Sequence, residues 1–301
     1  MPRPAGIFSP SRRSLVAIAL SGCALSGVVG SAWAAPMAAQ PIVTSDEGLI
    51  VGQVGIPGAD GTLPAYSAWP AARGRYPVFI VISEALGVNA YLRDVCLRLA
   101  RLGYLAVAPE FFYRAGDPAR VTDQGAIQRI VASASNEQVM GDIASTLEWA
   151  KAHPAAQRRI GVIGFSWGGA PVWMAAQRFR DIRAGVAWYG RLRKPADGRF
   201  LSDEIRPWPL DIVPTLRAPV LGLYAGRDPS IPSSDIVEMN DRLASSRKRG
   251  STIIVYQDAE HGFHDDHLPA YNAQAAADGW GRMLAHLRDN GLRGRIPDEL
   301  Q

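Results

Sequence analysis

The chain has 301 residues, 48% hydrophobic and 20% charged, with 30 Gly, 22 Pro and 2 Cys. That composition excludes a disordered chain, a low-complexity polymer and a disulfide-built scaffold. Its 32 Lys+Arg against 28 Asp+Glu give a net charge of +4, which raises nucleic-acid binding as a question until the excess is located.

The excess lies at the N-terminus. Residues 1–34 hold Arg3, Arg12 and Arg13 and no acid. Ser11-Arg12-Arg13-Ser14 leads into an apolar run, Leu15–Gly30, and Ala32-Trp33-Ala34 has the small-x-small form of a cleavage site. This order predicts a twin-arginine export signal, removed after Ala34, and a periplasmic or secreted location. As a transmembrane helix the run is short, and Ser21, Gly22, Ser26, Gly27 and Gly30 interrupt it. Leu20-Ser21-Gly22-Cys23 also has the form of a lipobox, which would instead anchor a lipid on Cys23. Removing the three arginines leaves 29 bases against 28 acids in residues 35–301, so the charge gives no support for a nucleic-acid partner. One cysteine remains, Cys96, and no internal disulfide can form.

Residues 35–301 suit a single α/β domain. Leu49–Ile56 and Thr62–Trp69, joined by Gly58-Ala59-Asp60-Gly61, predict a β-hairpin. Pro77–Ser83 is an apolar, β-branched run, as in a buried parallel strand. Ala90–Leu102 places Leu92, Val95, Cys96, Leu99 and Leu102 at helical spacing. Tyr104–Ala108 predicts a strand and Glu137–His153 a long helix; Arg159–Gly164 is a strand and Gly168–Arg178 a helix. Gly185–Tyr189, Val220–Ala225 and Thr252–Tyr256 read as short strands, and Pro269–Asn290 as the last helix. Ala115–Asn136 and Arg191–Thr215 read as loops. Strands alternating with helices predict a mostly parallel central sheet with helices on both faces and the hairpin at its N-terminal side. Ligands bind such sheets beyond the carboxyl ends of the strands.

Three strand ends carry chemistry. Gly164-Phe165-Ser166-Trp167-Gly168 is G-x-S-x-G between a strand and a helix, the context that lifts a serine hydroxyl off a sharp turn. Asp228 follows Val220–Ala225, and His261 follows Thr252–Tyr256. The order Ser166, Asp228, His261 is that of the α/β-hydrolase triad, with His261 as base and Asp228 fixing its tautomer. Trp167 would offer its backbone N–H to a developing oxyanion. As alternatives, Asp228 would be an ordinary turn residue and His261 a loop histidine. His261, His264 and His267, with Asp265 and Asp266 between them, also have spacing compatible with a metal site. The preferred expectation is no metal and no cofactor, with His264 and Asp266 ordering the loop around the base. Glu84, at the end of the apolar strand, is costly unless paired or used. It is either a structural acid, paired for example with Arg114, or an acid poised beside Ser166 with Ala85 as second oxyanion donor.

These blocks resemble the dienelactone hydrolase family of α/β-hydrolases. The matching segments are Phe79–Val88, Gly103–Arg114, Ile160–Ala170, Pro219–Asp228 and Ala259–Phe263. The resemblance implies an α/β-hydrolase fold and cleavage of a small ester or lactone. It implies catalytic positions at Glu84, Ser166, Asp228 and His261, an oxyanion hole at Ala85 and Trp167, and a carboxylate-binding Arg114. Two positions depart from the family pattern: serine replaces the usual cysteine at 166, and Asp265 stands where a second carboxylate-binding arginine is expected. The second reading is a catalytically degenerate small-molecule-binding protein on the same fold. A metal-dependent hydrolase built on the histidine loop is a third.

Overall fold

The computed structural model describes residues 40–300, except 197, 202–203 and 247–249. The described residues fall in one compact unit, Ala38–Gln301. The expected export signal and Cys23 lie outside them. Among the described residues no helix is long and apolar enough to cross a membrane.

The apolar run after Arg75 forms β3 (Tyr76–Ile82), buried at all seven positions. A strand with no polar face must be covered on both sides, which sets it in the middle of the sheet. The hairpin forms as expected: β1 (Leu49–Gly58) pairs antiparallel with β2 (Gly61–Pro70), in register from Leu49↔Pro70 to Gly58↔Gly61. The remaining strands are β4 (Leu105–Pro109), β5 (Ala156–Phe165), β6 (Ile182–Trp188), β7 (Val220–Ala225) and β8 (Thr252–Tyr256). The eight strands lie in the order β1-β2-β4-β3-β5-β6-β7-β8. β2 meets β4 antiparallel, and every pairing from β4 to β8 is parallel. Six carboxyl ends therefore open at one edge of the sheet, and the chemistry-bearing residues follow them.

The helices cover both faces. In α1 (Ala90–Arg101), Asn89 caps by accepting the Leu92 N–H, and Leu92, Val95, Cys96 and Leu99 are buried. α3 (Asn136–Ala152) is capped by Ser135 and α4 (Gly169–Arg178) follows β5. Two helices were not read from the sequence. α2 (Gln124–Ser133) lies inside the expected Ala115–Asn136 loop, capped by Asp123, and α6 (Ser233–Ser245) follows Pro232. A short turn of helix, α5 (Pro209–Ile212), lies inside the expected Arg191–Thr215 loop. α7 (Ala273–Asp289) begins four residues later than Pro269, because the Asn272 side chain accepts the Ala275 N–H and sets the start there.

Candidate active site

β5 runs into Ser166, which has φ +49. A residue with a Cβ adopts that conformation only when its surroundings demand it. Here the demand is crowding. A Cβ on Gly164 would stand 2.3 Å from the Gly168 carbonyl oxygen, and one on Gly168 would stand 2.6 Å from that of Ile82. The strand, turn and α4 close together only with glycine at both places, and Ser166 is left projecting from the bend.

The hydroxyl meets the two other strand ends. Ser166 Oγ lies 2.8 Å from His261 Nε2, and His261 Nδ1 lies 2.6 Å from Asp228 Oδ2. A carboxylate can only accept, so the imidazole carries its proton on Nδ1 and leaves Nε2 to accept from the serine. The Asp228 carboxyl is fully covered, and its other oxygen accepts the Ser230 N–H at 2.7 Å. Both oxygens are thus held, and the aspartate has one orientation.

This relay opens onto a cavity of about 200 Å³. Ala85, Trp167, Ser166 and His261 line it, and Tyr189, Phe200, Leu201 and Trp208 add apolar surface. Arg191, Arg199 and Arg206 make one side cationic. Among the described residues, the non-glycine positions with positive φ are Ser166, Tyr189 (+39) and Phe200 (+59), and all three line this cavity. Strained backbone concentrates where a site must be shaped against local preference.

Glu84 sits just past β3, buried, and accepts the Tyr189 hydroxyl at 3.3 Å. Burial pushes its carboxyl up to about 7, and the nearby Asp265 adds to the rise, while His261 and the Tyr189 hydrogen bond oppose it. Asp265 is itself raised by burial, although it accepts the His267 N–H at 2.9 Å. Glu84 is therefore a desolvated acid within the electrostatic reach of His261, and its partner is Tyr189, not Arg114.

Arg114 departs from its expected place. Its Nε and Nη2 donate to Asp60 at 2.6 and 2.8 Å, and Nη1 and Nη2 donate to Asp142 at 2.9 Å each. Its guanidinium also lies over the Tyr113 ring. Asp60 stands in the β1–β2 turn and Asp142 is buried on α3. The arginine clamps hairpin to helix, and both carboxylates raise its own pKa. It does not line the cavity. Arg206 does: its guanidinium stacks 3.9 Å from the Trp208 ring centroid, and Nη1 donates to Asn136 Oδ1 at 3.4 Å. Burial lowers its pKa, against the opposing charge of Glu204. Sequence reasoning missed Arg206; the only signal was the spacing Arg206-Pro207-Trp208 in a segment without regular structure.

The histidine loop has diverging partners. His264 is buried, with Nδ1 2.7 Å from the Tyr91 hydroxyl, and burial pushes it down to about 3. It stacks on Trp280. Asp266 accepts from Arg98 at 2.9 Å. Among the described residues, no group of three or more His, Cys, Asp or Glu is arranged to hold a metal ion. Cys96 is buried in α1, where burial pushes its thiol up.

The profile of the dienelactone hydrolase family matches residues 63–290. A protein of Methylorubrum extorquens, provisionally named carboxymethylenebutenolidase, is 40% identical over 286 residues, 94% of either chain. One of the same name from Escherichia coli K12 is 38% identical over 86% of this chain and 94% of its own. A crystal structure of a provisionally named dienelactone hydrolase from Klebsiella pneumoniae is 38% identical, with TM-score 0.74 over 80% of this chain and 98% of that one. The chain belongs to the dienelactone hydrolase family, carboxylic ester hydrolases of the α/β-hydrolase fold.

Proposed function

We propose that this enzyme cleaves a small carboxylic ester or lactone through an acyl group carried on Ser166. The observation that carries the reading is the relay from Ser166 Oγ through His261 to Asp228, at 2.8 and 2.6 Å, with Ser166 and His261 lining the cavity. In this mechanism Ser166 attacks the carbonyl carbon as Nε2 takes its proton, and Asp228 stabilises the imidazolium. The backbone N–H groups of Trp167 and Ala85 receive the oxyanion. His261 then protonates the leaving alkoxide, and water repeats the sequence to release the acid. A serine hydroxyl is too weak an acid to ionise ahead of attack, so the base acts during bond formation.

The cavity size favours a compact acyl or lactone part. Its apolar surface suits a planar or short aliphatic group, and Arg206 is the cation placed to meet a substrate carboxylate. The related proteins named carboxymethylenebutenolidase support the lactone choice. Export belongs to the proposal too, supported by Arg12-Arg13, the apolar run and Ala32-Trp33-Ala34.

The test is labelling by a fluorophosphonate together with a panel of short esters and lactones. Wild type is expected to label and to turn over, and Ser166→Ala to do neither. Failure of wild type to label beside a serine hydrolase control ends the proposal. Background turnover combined with a raised melting temperature in small carboxylates would point to a binding protein instead.

A further inference from the structure

The loop that carries His261 is held from outside by a stretch of chain far away in sequence. Residues 40–44 run ahead of β1 with the Ile42 and Val43 side chains exposed, so apolar packing does not hold them down. Backbone hydrogen bonds do. The Ile42 N–H donates to Asp266 Oδ2 at 2.6 Å, and the Thr44 N–H donates to Asp94 Oδ1 at 2.6 Å. Arg98 joins the two carboxylates, with Nε on Asp94 Oδ2 at 2.5 Å and Nη2 on Asp266 Oδ2 at 2.9 Å.

The Asp266 side chain is fully covered, and its Oδ1 has no hydrogen-bond partner. A buried carboxylate needs its donors, because an unmade bond costs more than a made one contributes. Ile42 N–H and Arg98 supply them, both on one oxygen. Asp266 is five residues beyond His261, in a run of tight turns: Phe263 N–H to Glu260 O, Asp265 N–H to Gly262 O and Leu268 N–H to Asp265 O. Tyr91 on His264 is a second tie of this loop to α1.

We propose that residues 40–44 position the catalytic-base loop, and that the backbone N–H of Ile42 is the group that does so. Ile42 is a positioning residue: it touches neither cavity nor relay and acts through Asp266. The inference rests on the reading of His261 as the base. It also means that the chain just after the expected cleavage site has a role in turnover.

The test uses the full chain and two variants. Ile42→Pro removes the N–H, and Ile42→Ala removes the exposed side chain and keeps the N–H. Hydrogen exchange of the amides of Phe263, Asp265 and Leu268 reads the loop whether or not an ester is turned over. Steady-state hydrolysis of p-nitrophenyl acetate reads the base. Ile42→Pro is expected to exchange faster over 261–268 with β5 unchanged, and to lose kcat about tenfold with KM within about twofold, the scale of a sub-ångström misplacement. Ile42→Ala is expected to match wild type in both. The proposal is overturned if Ile42→Pro matches wild type in either readout, or if Ile42→Ala behaves as Ile42→Pro does. Should wild type itself fail to hydrolyse or label, the proposed function falls, and the exchange result still decides whether Ile42 holds the loop.

Discussion

Replacing Glu84 by glutamine tests the electrostatics of the site through stability alone. The carboxyl is buried and its value in the fold is about 7, against 4.5 for the free side chain. A carboxyl raised on folding stabilises the fold in full below its unfolded value, and that contribution is lost as pH climbs through the folded one. At about 1.4 kcal/mol per pH unit, the span from 4.5 to about 7 amounts to about 3 kcal/mol. Glutamine keeps the shape and still accepts from the Tyr189 hydroxyl, but never ionises. Urea unfolding of both proteins at half-unit steps from pH 4.5 to 8.5 is the assay, with m-values checked for constancy. Near pH 4.5 the two are expected to differ by a pH-independent packing offset. By pH 8 the variant should have gained about 3 kcal/mol relative to wild type, with the change centred between 4.5 and about 7. A difference that stays flat over the whole range would refute the reasoning, because an unburied or ion-paired Glu84 gives no such curve.

Asp265→Asn should move the upper end of that curve to lower pH, since Asp265 adds to the rise at Glu84; unchanged titration would separate the two groups. Arg206→Ala should raise KM for anionic esters at least several-fold more than for neutral ones, while Arg114→Ala should leave that ratio alone. Arg114→Ala should instead lower stability by about 3 kcal/mol in urea unfolding, because it strands the buried Asp142 carboxylate. Gly164→Ala should cost about 1–3 kcal/mol by the overpacking it forces at 2.3 Å from the Gly168 oxygen, and should reduce fluorophosphonate labelling with it.

The parallel sheet was legible because burial on both faces leaves an unmistakable trace: β3 is seven consecutive covered residues, and the sequence shows the same run from Pro77. The elbow at Ser166 was legible because only glycine fits at 164 and 168. α2 and α6 were hidden for the opposite reason. α2 starts at the Asp123 cap and α6 follows Pro232 with no side-chain cap, both in segments rich in turn residues, and each buries only a narrow face. Arg114 shows the limit of a motif. Its position after β4 is as expected, but its direction is set by Asp60 and Asp142, which are 54 and 28 residues away in the chain. Arg206 shows the converse: its only local signal is the neighbouring Trp208, and the fold brings it to the cavity.

The bend at Ser166 has a chemical consequence of its own. Its positive φ comes from the crowding of Gly164 and Gly168 against neighbouring backbone, and the hydroxyl takes no part in it. A sulfur at the same place would leave from the same Cβ and face the same imidazole. On the proposed mechanism, whether the acyl group travels there as an oxygen ester or as a thioester is then a one-atom choice made on an unchanged frame.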